Sequence, residues 1–284
     1  MAFCGVALAA PHFAVPAAAA DLPENAVVIG FIDSGIATYH LDATHVLEGR
    51  NYAFPDNDTV DRIGHGTKTA GMVLGSPEQG VEGVFSAAYA VPLVVVDKYP
   101  SGVTKDGGVA ALTAAIYDAV DVFGCDIINI SLSTTTDSPE VFAAIEHAYE
   151  KGVIIVASVS NYANTDVAYY PAHYDHVIAV GAADGDSVAS FSQVMDADFF
   201  YEGRNLPVVS YKINGKAGID SGTSFACASV AGVCASLLAD NPDLSLEQLK
   251  GILHLETYCS SSGFIQKPVR KESLSRLSTI AGRQ

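Results

Sequence analysis

Short apolar runs rich in β-branched residues recur along the chain, at 27–32, 92–96, 127–130, 153–156 and 177–180. Runs of this length without polar alternation are typical of strands buried on both faces. Ala-rich stretches of helical length intervene at 107–123 and 139–151, and a longer apolar stretch at 225–238 reads as a buried helix. Strands that alternate with helices imply a parallel sheet with right-handed crossovers. The pattern therefore predicts an α/β fold in three layers, a mostly parallel sheet flanked by helices. No period of about 20–50 residues is evident, which argues against a solenoid. No internal apolar run of about 18 residues is read, so no membrane span is expected.

Three polar positions stand at the edges of these apolar elements. Asp33 closes the first run and precedes Ser34-Gly35. In open α/β sheets functional groups gather at the C-terminal ends of strands, although Asp before Gly is also a common turn former. His65 lies between Gly64 and Gly66 and leads into small and apolar residues. A histidine held by glycines at a helix start is a candidate general base. Ser224, in Gly222-Thr223-Ser224-Phe225-Ala226, stands where the buried helix begins. Backbone N–H groups there favour developing negative charge, which suits a nucleophile whose transition state carries an oxyanion. The bland reading of Ser224 is an N-cap. Together the three give an acid to orient, an imidazole to take a proton and a hydroxyl to attack a carbonyl.

These segments resemble the subtilisin-like serine proteases, or subtilases. The likeness is carried by 28–36, Gly64-His65-Gly66-Thr67 and 222–226, in the chain order Asp, His, Ser known from subtilisin. Residues 126–133 are similar to the family strand and its substrate-binding edge, which places Ser131, Leu132 and Ser133 against substrate. Residues 153–161, followed by Tyr170-Pro171-Ala172 and 177–182, resemble the strand that leads to the oxyanion asparagine, which maps onto Asn161. The resemblance implies a subtilisin-like fold and a serine endopeptidase. Peptide bonds would be cleaved through an acyl-enzyme, with Asp33, His65, Ser224 and Asn161 in the catalytic roles and polypeptides as substrates. Two other readings keep the fold: a catalytically silent binding protein, and an esterase or acyl transferase on the same triad. The presence of all four residues weighs against the first; the shared mechanism leaves the second open.

The chain also departs from the family pattern. Ser160 stands where a glycine usually precedes the asparagine, Ser133 replaces another glycine, and Cys227-Ala228-Ser229 replaces a Ser-Pro-His run. With Tyr169 at the far end of the pocket, Ser133 and Ser160 predict a small primary pocket that prefers Ala, Gly or Ser. The loop 75–80 resembles a family calcium loop, but Pro77 stands where a liganding asparagine is often found. Backbone carbonyls, Glu78 and Asp42 remain as ligands, so weak calcium binding is expected and no cofactor is required for catalysis.

Composition narrows the picture further. A hydrophobic content of 49% with only 17% charged residues argues for a well-buried sheet and against disorder. The 284 residues suit one large domain. Nucleic-acid binding needs positive charge near phosphates, so with a net charge of −17 none is expected. Residues 1–20 read as a signal peptide or a disordered leader, and 21–284 as the catalytic domain. Ala18 and Ala20 suit cleavage before Asp21, whereas the absence of Lys or Arg before the apolar region, and Pro11 and His12 within it, argue against export. A secreted or extracytoplasmic location is favoured, with a cytoplasmic one as the alternative. A propeptide or inhibitor outside this chain is a further expected partner. Cys227 and Cys234, about 10.5 Å apart along one helix, are too distant for a disulfide. Cys125 and these two read as buried thiols, Cys259 as the exposed one, and no zinc site is expected. The Ser-, Lys- and Arg-rich tail after Lys250 is expected to pack loosely.

Overall fold

Each apolar run becomes a strand of one sheet in the computed structural model, which describes residues 22–54, 57–163 and 166–255. The strands are β1 (Val28–Asp33), β2 (Arg50–Asn51), β3 (Tyr89–Val94), β6 (Ile127–Ile130), β7 (Ile154–Ser158), β8 (Val177–Asp184), β9 (Ser187–Val188) and β10 (Phe199–Glu202). Their order is β10-β8-β7-β6-β1-β3-β2, with β9 paired to β8. Every pairing along that path is parallel; β9 alone runs antiparallel. Two small antiparallel pairs stand apart: β4 (Val96–Lys98) with β5 (Thr104–Asp106), and β11 (Leu206–Val208) with β12 (Gly218–Asp220). The run expected at 92–96 is therefore split. Val94 ends the central strand, and Val96 already belongs to the hairpin that leaves the sheet.

The helices are α1 (His65–Leu74), α2 (Gly108–Asp121), α3 (Pro139–Glu150), α4 (Thr223–Asp240) and α5 (Leu246–Leu255). Side chains alternate across a strand, so β1 feeds two cores. Ile29 and Phe31 pack with α1, α4 and α5, whereas Val28 and Ile32 pack with α2 and α3. Helices thus cover both faces, as the parallel topology requires. Full burial of an Ile or Phe contributes about 1.5–3 kcal/mol, and the fully buried large side chains cluster on the sheet strands.

Helix α4 buries 15 of its 18 residues. It lies between α1 and the strands β6, β7, β8 and β10. This corrects the expectation that no apolar run is long enough to cross a membrane. Among the described residues α4 has the required length and a mean hydropathy of 1.4, and 83% of it is inside the protein. Its apolarity is that of a central core helix. The tail expectation is also corrected in part. Helix α5 continues past Lys250, and Ile252 and Leu253 are buried in the core cluster that also holds α4. Their apolar spacing outweighs the polar composition that follows. Residues 1–20, the segment after 255 and Cys259 lie outside the described residues.

Candidate active site

The C-terminal ends of β1, β6 and β7 converge with the N-termini of α1 and α4. Asp33 is the last residue of β1 and is 1% exposed. His65 opens α1, and its Nδ1 lies 2.7 and 2.9 Å from the two carboxylate oxygens of Asp33. The same carboxylate accepts from the Ser34 N–H at 2.7 Å and from the Thr69 hydroxyl at 3.2 Å. A carboxylate at Nδ1 makes that nitrogen the proton-bearing one, which leaves Nε2 with its lone pair free to accept a proton. Burial pulls the imidazole pKa down, but the charge and hydrogen bond of Asp33 outweigh it, and Asp61 adds to the rise. The net shift is upward from 6.5.

Gly64 supplies no side-chain cap to α1. Asp61 does this work from outside the helix. Its buried carboxylate accepts from the N–H groups of Ile63, Gly64 and Thr67 and from the hydroxyls of Ser34 and Thr67. Ser34 in turn accepts from the Gly66 N–H. The end of β1 and the start of α1 are thereby tied together. The two glycines are steric necessities. A Cβ on Gly64 would stand 2.3 Å from the Tyr211 ring, and one on Gly66 would stand 2.2 Å from the Gly35 carbonyl oxygen. Sequence reading missed Asp61. The signal was an acid just ahead of the glycine that caps a helix, close enough in sequence for its carboxylate to bond nearby backbone N–H groups.

Ser224 is the second residue of α4, where N–H groups lack intrahelical acceptors. Its hydroxyl donates to the Ser131 carbonyl at 3.1 Å, and the Ser131 hydroxyl donates back to the Ser224 carbonyl at 3.0 Å. Behind this pair, Asn129 donates to the Ser131 hydroxyl, and the Cys227 thiol donates to the Asn129 carbonyl oxygen. Burial pushes the Cys227 thiol far up, so it stays protonated and acts as a donor. The His65 and Phe225 rings lie 6.1 Å apart, which sets the imidazole beside the start of α4.

Asn161 follows β7 and meets α4 from the other side. Its Oδ1 accepts from the Thr223 N–H at 2.8 Å and from the Thr223 hydroxyl at 3.1 Å. A backbone N–H can only donate, so the amide orientation is fixed. Ser160 is buried and holds φ at +117°, a region that favours glycine. Its hydroxyl accepts from the Tyr162 N–H at 3.3 Å.

Leu132 and Ser133 continue from β6 and line a cavity of about 290 Å³, with Val96, Val109, Leu112 and Val141 on its other walls. Thr134 and Tyr170 exchange backbone hydrogen bonds of 2.9 and 2.8 Å, joining this edge to the segment that carries Tyr169. The Tyr169 side chain is only 9% exposed and stacks on Tyr162 with ring centroids 6.3 Å apart.

In the loop 75–80, Pro77 offers no side-chain oxygen, and Oδ1 of Asp42 accepts from the Thr44 N–H and hydroxyl. The Gln79 side chain bridges the Ser210 N–H and the Gly215 carbonyl. Among the described residues no group of three or more His, Cys, Asp or Glu side chains is arranged to hold a metal. Cys125, Cys227 and Cys234 are buried free thiols.

Comparison with known proteins follows the same geometry. A sequence model described as the subtilase family matches residues 24–269. Subtilisin DY of Bacillus licheniformis is 34% identical over 232 residues, covering 80% of this chain and 82% of that protein. The major intracellular serine protease of Bacillus subtilis is 30% identical, covering 74% of this chain and 67% of the relative. Among solved structures, a cold-adapted subtilisin-like serine proteinase superposes with a TM-score of 0.72 at 25% identity, covering 86% of this chain and 88% of the other. Fervidolysin from Fervidobacterium pennivorans superposes with a TM-score of 0.79 at 24% identity, covering 89% of this chain and 43% of the other, and speaks for the fold.

Proposed function

The chain belongs to the subtilase family and is a serine-type endopeptidase, and from that premise we propose that Asp33, His65, Ser224 and Asn161 carry its reaction. The observation that carries this assignment is the contact of His65 Nδ1 with both oxygens of a buried Asp33 carboxylate. In the proposed sequence Ser224 Oγ turns from the Ser131 carbonyl toward His65 Nε2. It gives up its proton there and bonds to the scissile carbonyl carbon. The oxyanion that forms accepts from the Asn161 amide and the Ser224 N–H. In subtilisin itself, loss of the asparagine donor lowers turnover by roughly 10²–10³. His65 then gives its proton to the departing amine, which leaves an acyl ester on Ser224. Water, activated by the same imidazole, releases the acid.

Polypeptide backbone would add as a strand along Ser131, Leu132 and Ser133, with Ser160 and Tyr169 bounding the pocket for the residue before the cut. Subtilase catalysis needs no cofactor, and the missing side-chain oxygen at Pro77 supports weak calcium binding at most. Residues 21–284 are proposed as one catalytic domain, in keeping with the family match over 24–269. Export is proposed on the small residues Ala18 and Ala20 ahead of Asp21; N-terminal sequencing of protein recovered from culture medium tests it.

A fluorophosphonate probe is expected to label Ser224, and a peptide library to be cleaved by the wild type alone. Ser224→Ala should lose both signals with its fold retained, and His65→Ala should lose about as much turnover, because triad members act as a unit. Near-wild-type peptidase activity in Ser224→Ala would remove the nucleophile from this scheme.

A further inference from the structure

Ser160 holds the least comfortable backbone of the site, at φ +117°, and its peptide carbonyl leads directly into Asn161. A non-glycine residue stays in such a region only where its surroundings over-determine it. The surroundings here converge on Gln193, which is fully buried at 0% exposure and lies outside all the segments considered so far.

The Gln193 N–H donates to the Ser160 carbonyl at 3.1 Å. Its side-chain Oε1 accepts from the N–H groups of Val194 and Met195 at 2.6 and 3.0 Å, folding the backbone tightly around its own side chain. Its Nε2 donates to the Val167 carbonyl at 3.0 Å. Two N–H donors on Oε1 and a carbonyl facing Nε2 leave one amide orientation. Gln193 is anchored in turn to the sheet. The Ser192 hydroxyl donates to the Gln193 carbonyl at 2.9 Å and accepts from the Ala182 N–H of β8 at 2.9 Å.

We propose that Gln193 is a positioning residue for the oxyanion site: its buried side-chain amide, tied to Val167, Val194 and Met195, fixes the stretch of backbone whose own N–H holds the Ser160 carbonyl, and so keeps Asn161 against the start of α4. This rests on the assignment of Asn161 as an oxyanion donor. The chemistry needs that donor placed to within a fraction of an ångström, and displacements near 1 Å can lower rates about a hundredfold. A buried amide with three backbone partners is a stiff device for that purpose.

The test is a double-mutant cycle on a peptide anilide substrate. Gln193→Met keeps the length and apolar bulk of the side chain and the backbone N–H to Ser160, but loses the side-chain bonds to Val167, Val194 and Met195 that fix that backbone. It is expected to lower kcat by roughly tenfold to a hundredfold, with KM changed by less than about threefold. In an Asn161→Ala background the same substitution should lower kcat by less than about twofold, because the group it positions is already gone. Equal losses in both backgrounds, or wild-type kcat in Gln193→Met, would overturn the inference while leaving the Asn161 assignment standing. A near-wild-type Asn161→Ala would instead sink that assignment and the inference with it. Should the Gln193 variants fail to fold, the wild type supplies a second measurement. When a peptide aldehyde adds to Ser224 as a hemiacetal, amide exchange should slow in the segment 158–163 and also in 192–195. Slowing confined to the first segment would overturn the inference.

Discussion

Gly66→Ala is the smallest change that should separate the two halves of the acid–base pair. A Cβ at this position would stand 2.2 Å from the Gly35 carbonyl oxygen and 3.2 Å from the Asp33 Cβ. Real Cβ contacts essentially never fall under 3.0 Å. Moving from 2.2 to 3.0 Å opens at least 0.8 Å between the first turn of α1 and the turn that ends β1. Neither side gives easily, because Asp61 and Ser34 bind both. Overpacking of this kind costs about 1–3 kcal/mol, and the better helix propensity of alanine returns at most about 1 kcal/mol. His65 immediately precedes the substituted residue, so most of the opening is passed to the His65–Asp33 contact. A misplacement near 1 Å can lower kcat about a hundredfold. We therefore expect kcat to fall by roughly tenfold to a hundredfold and the thermal midpoint to drop by about 2–4 °C for each kcal/mol lost. The assay is single-turnover acylation with an anilide substrate beside a thermal melt. Gly185→Ala serves as the control. That glycine has φ +61° and open space around its Cβ, so it should lose roughly 1 kcal/mol from backbone strain and keep wild-type kcat. Wild-type acylation in Gly66→Ala would refute the reasoning, since the close approach would then have no bearing on catalysis.

Three further expectations follow from the site. The kcat/KM profile should fall in acid with a midpoint above 6.5, because Asp33 holds the His65 pKa up and the base must be neutral to act. Stability should move the other way: a raised folded pKa contributes stability that is full below 6.5 and is lost as pH rises through the folded value. Asp33→Asn should shift the acid limb down, and a flat rate profile from about pH 5 to 9 would exclude an imidazole base. Matched peptides should be cut faster after Ala than after Phe, given the buried Tyr169 and the side chains at Ser133 and Ser160, by roughly tenfold to a hundredfold; faster cleavage after Phe refutes this. Excess calcium against chelator should move the thermal midpoint only slightly, whereas a tight site would add roughly 3–4 kcal/mol.

The sheet was legible because its strands are buried on both faces and leave unbroken apolar runs. Residues 127–130 were read to the residue, and α3 ends at Glu150 against an expected 151. The short edge strand β2 and the β11–β12 pair carry no such run, and their pairing depends on neighbours far away in sequence. The boundary at Val95 was missed because an apolar run does not record where a strand bends out of a sheet. Asp33, His65 and Ser224 were singled out as candidates because glycines and small residues mark the tight turns that hold them. Asp61, Asn129, Cys227 and Gln193 were not. Each is a buried polar residue whose meaning lies in its partners, and those partners are 1 to 98 residues away. Such networks leave no period to detect.

The placement of Ser224 at the head of a core helix also has a bearing on time. Asp33 stands on β1, near the start of the chain, and α4 must wedge between α1 and the sheet before its first turn reaches it. Contacts so distant in sequence form slowly and late. On the proposed assignment, a nascent or half-folded copy has its hydroxyl, imidazole and carboxylate but not the arrangement that would let them cut. The same copy is an open substrate for every molecule that finished earlier. The yield of intact enzyme becomes a race between a first-order closing step and a second-order attack, and dilution favours the closing step.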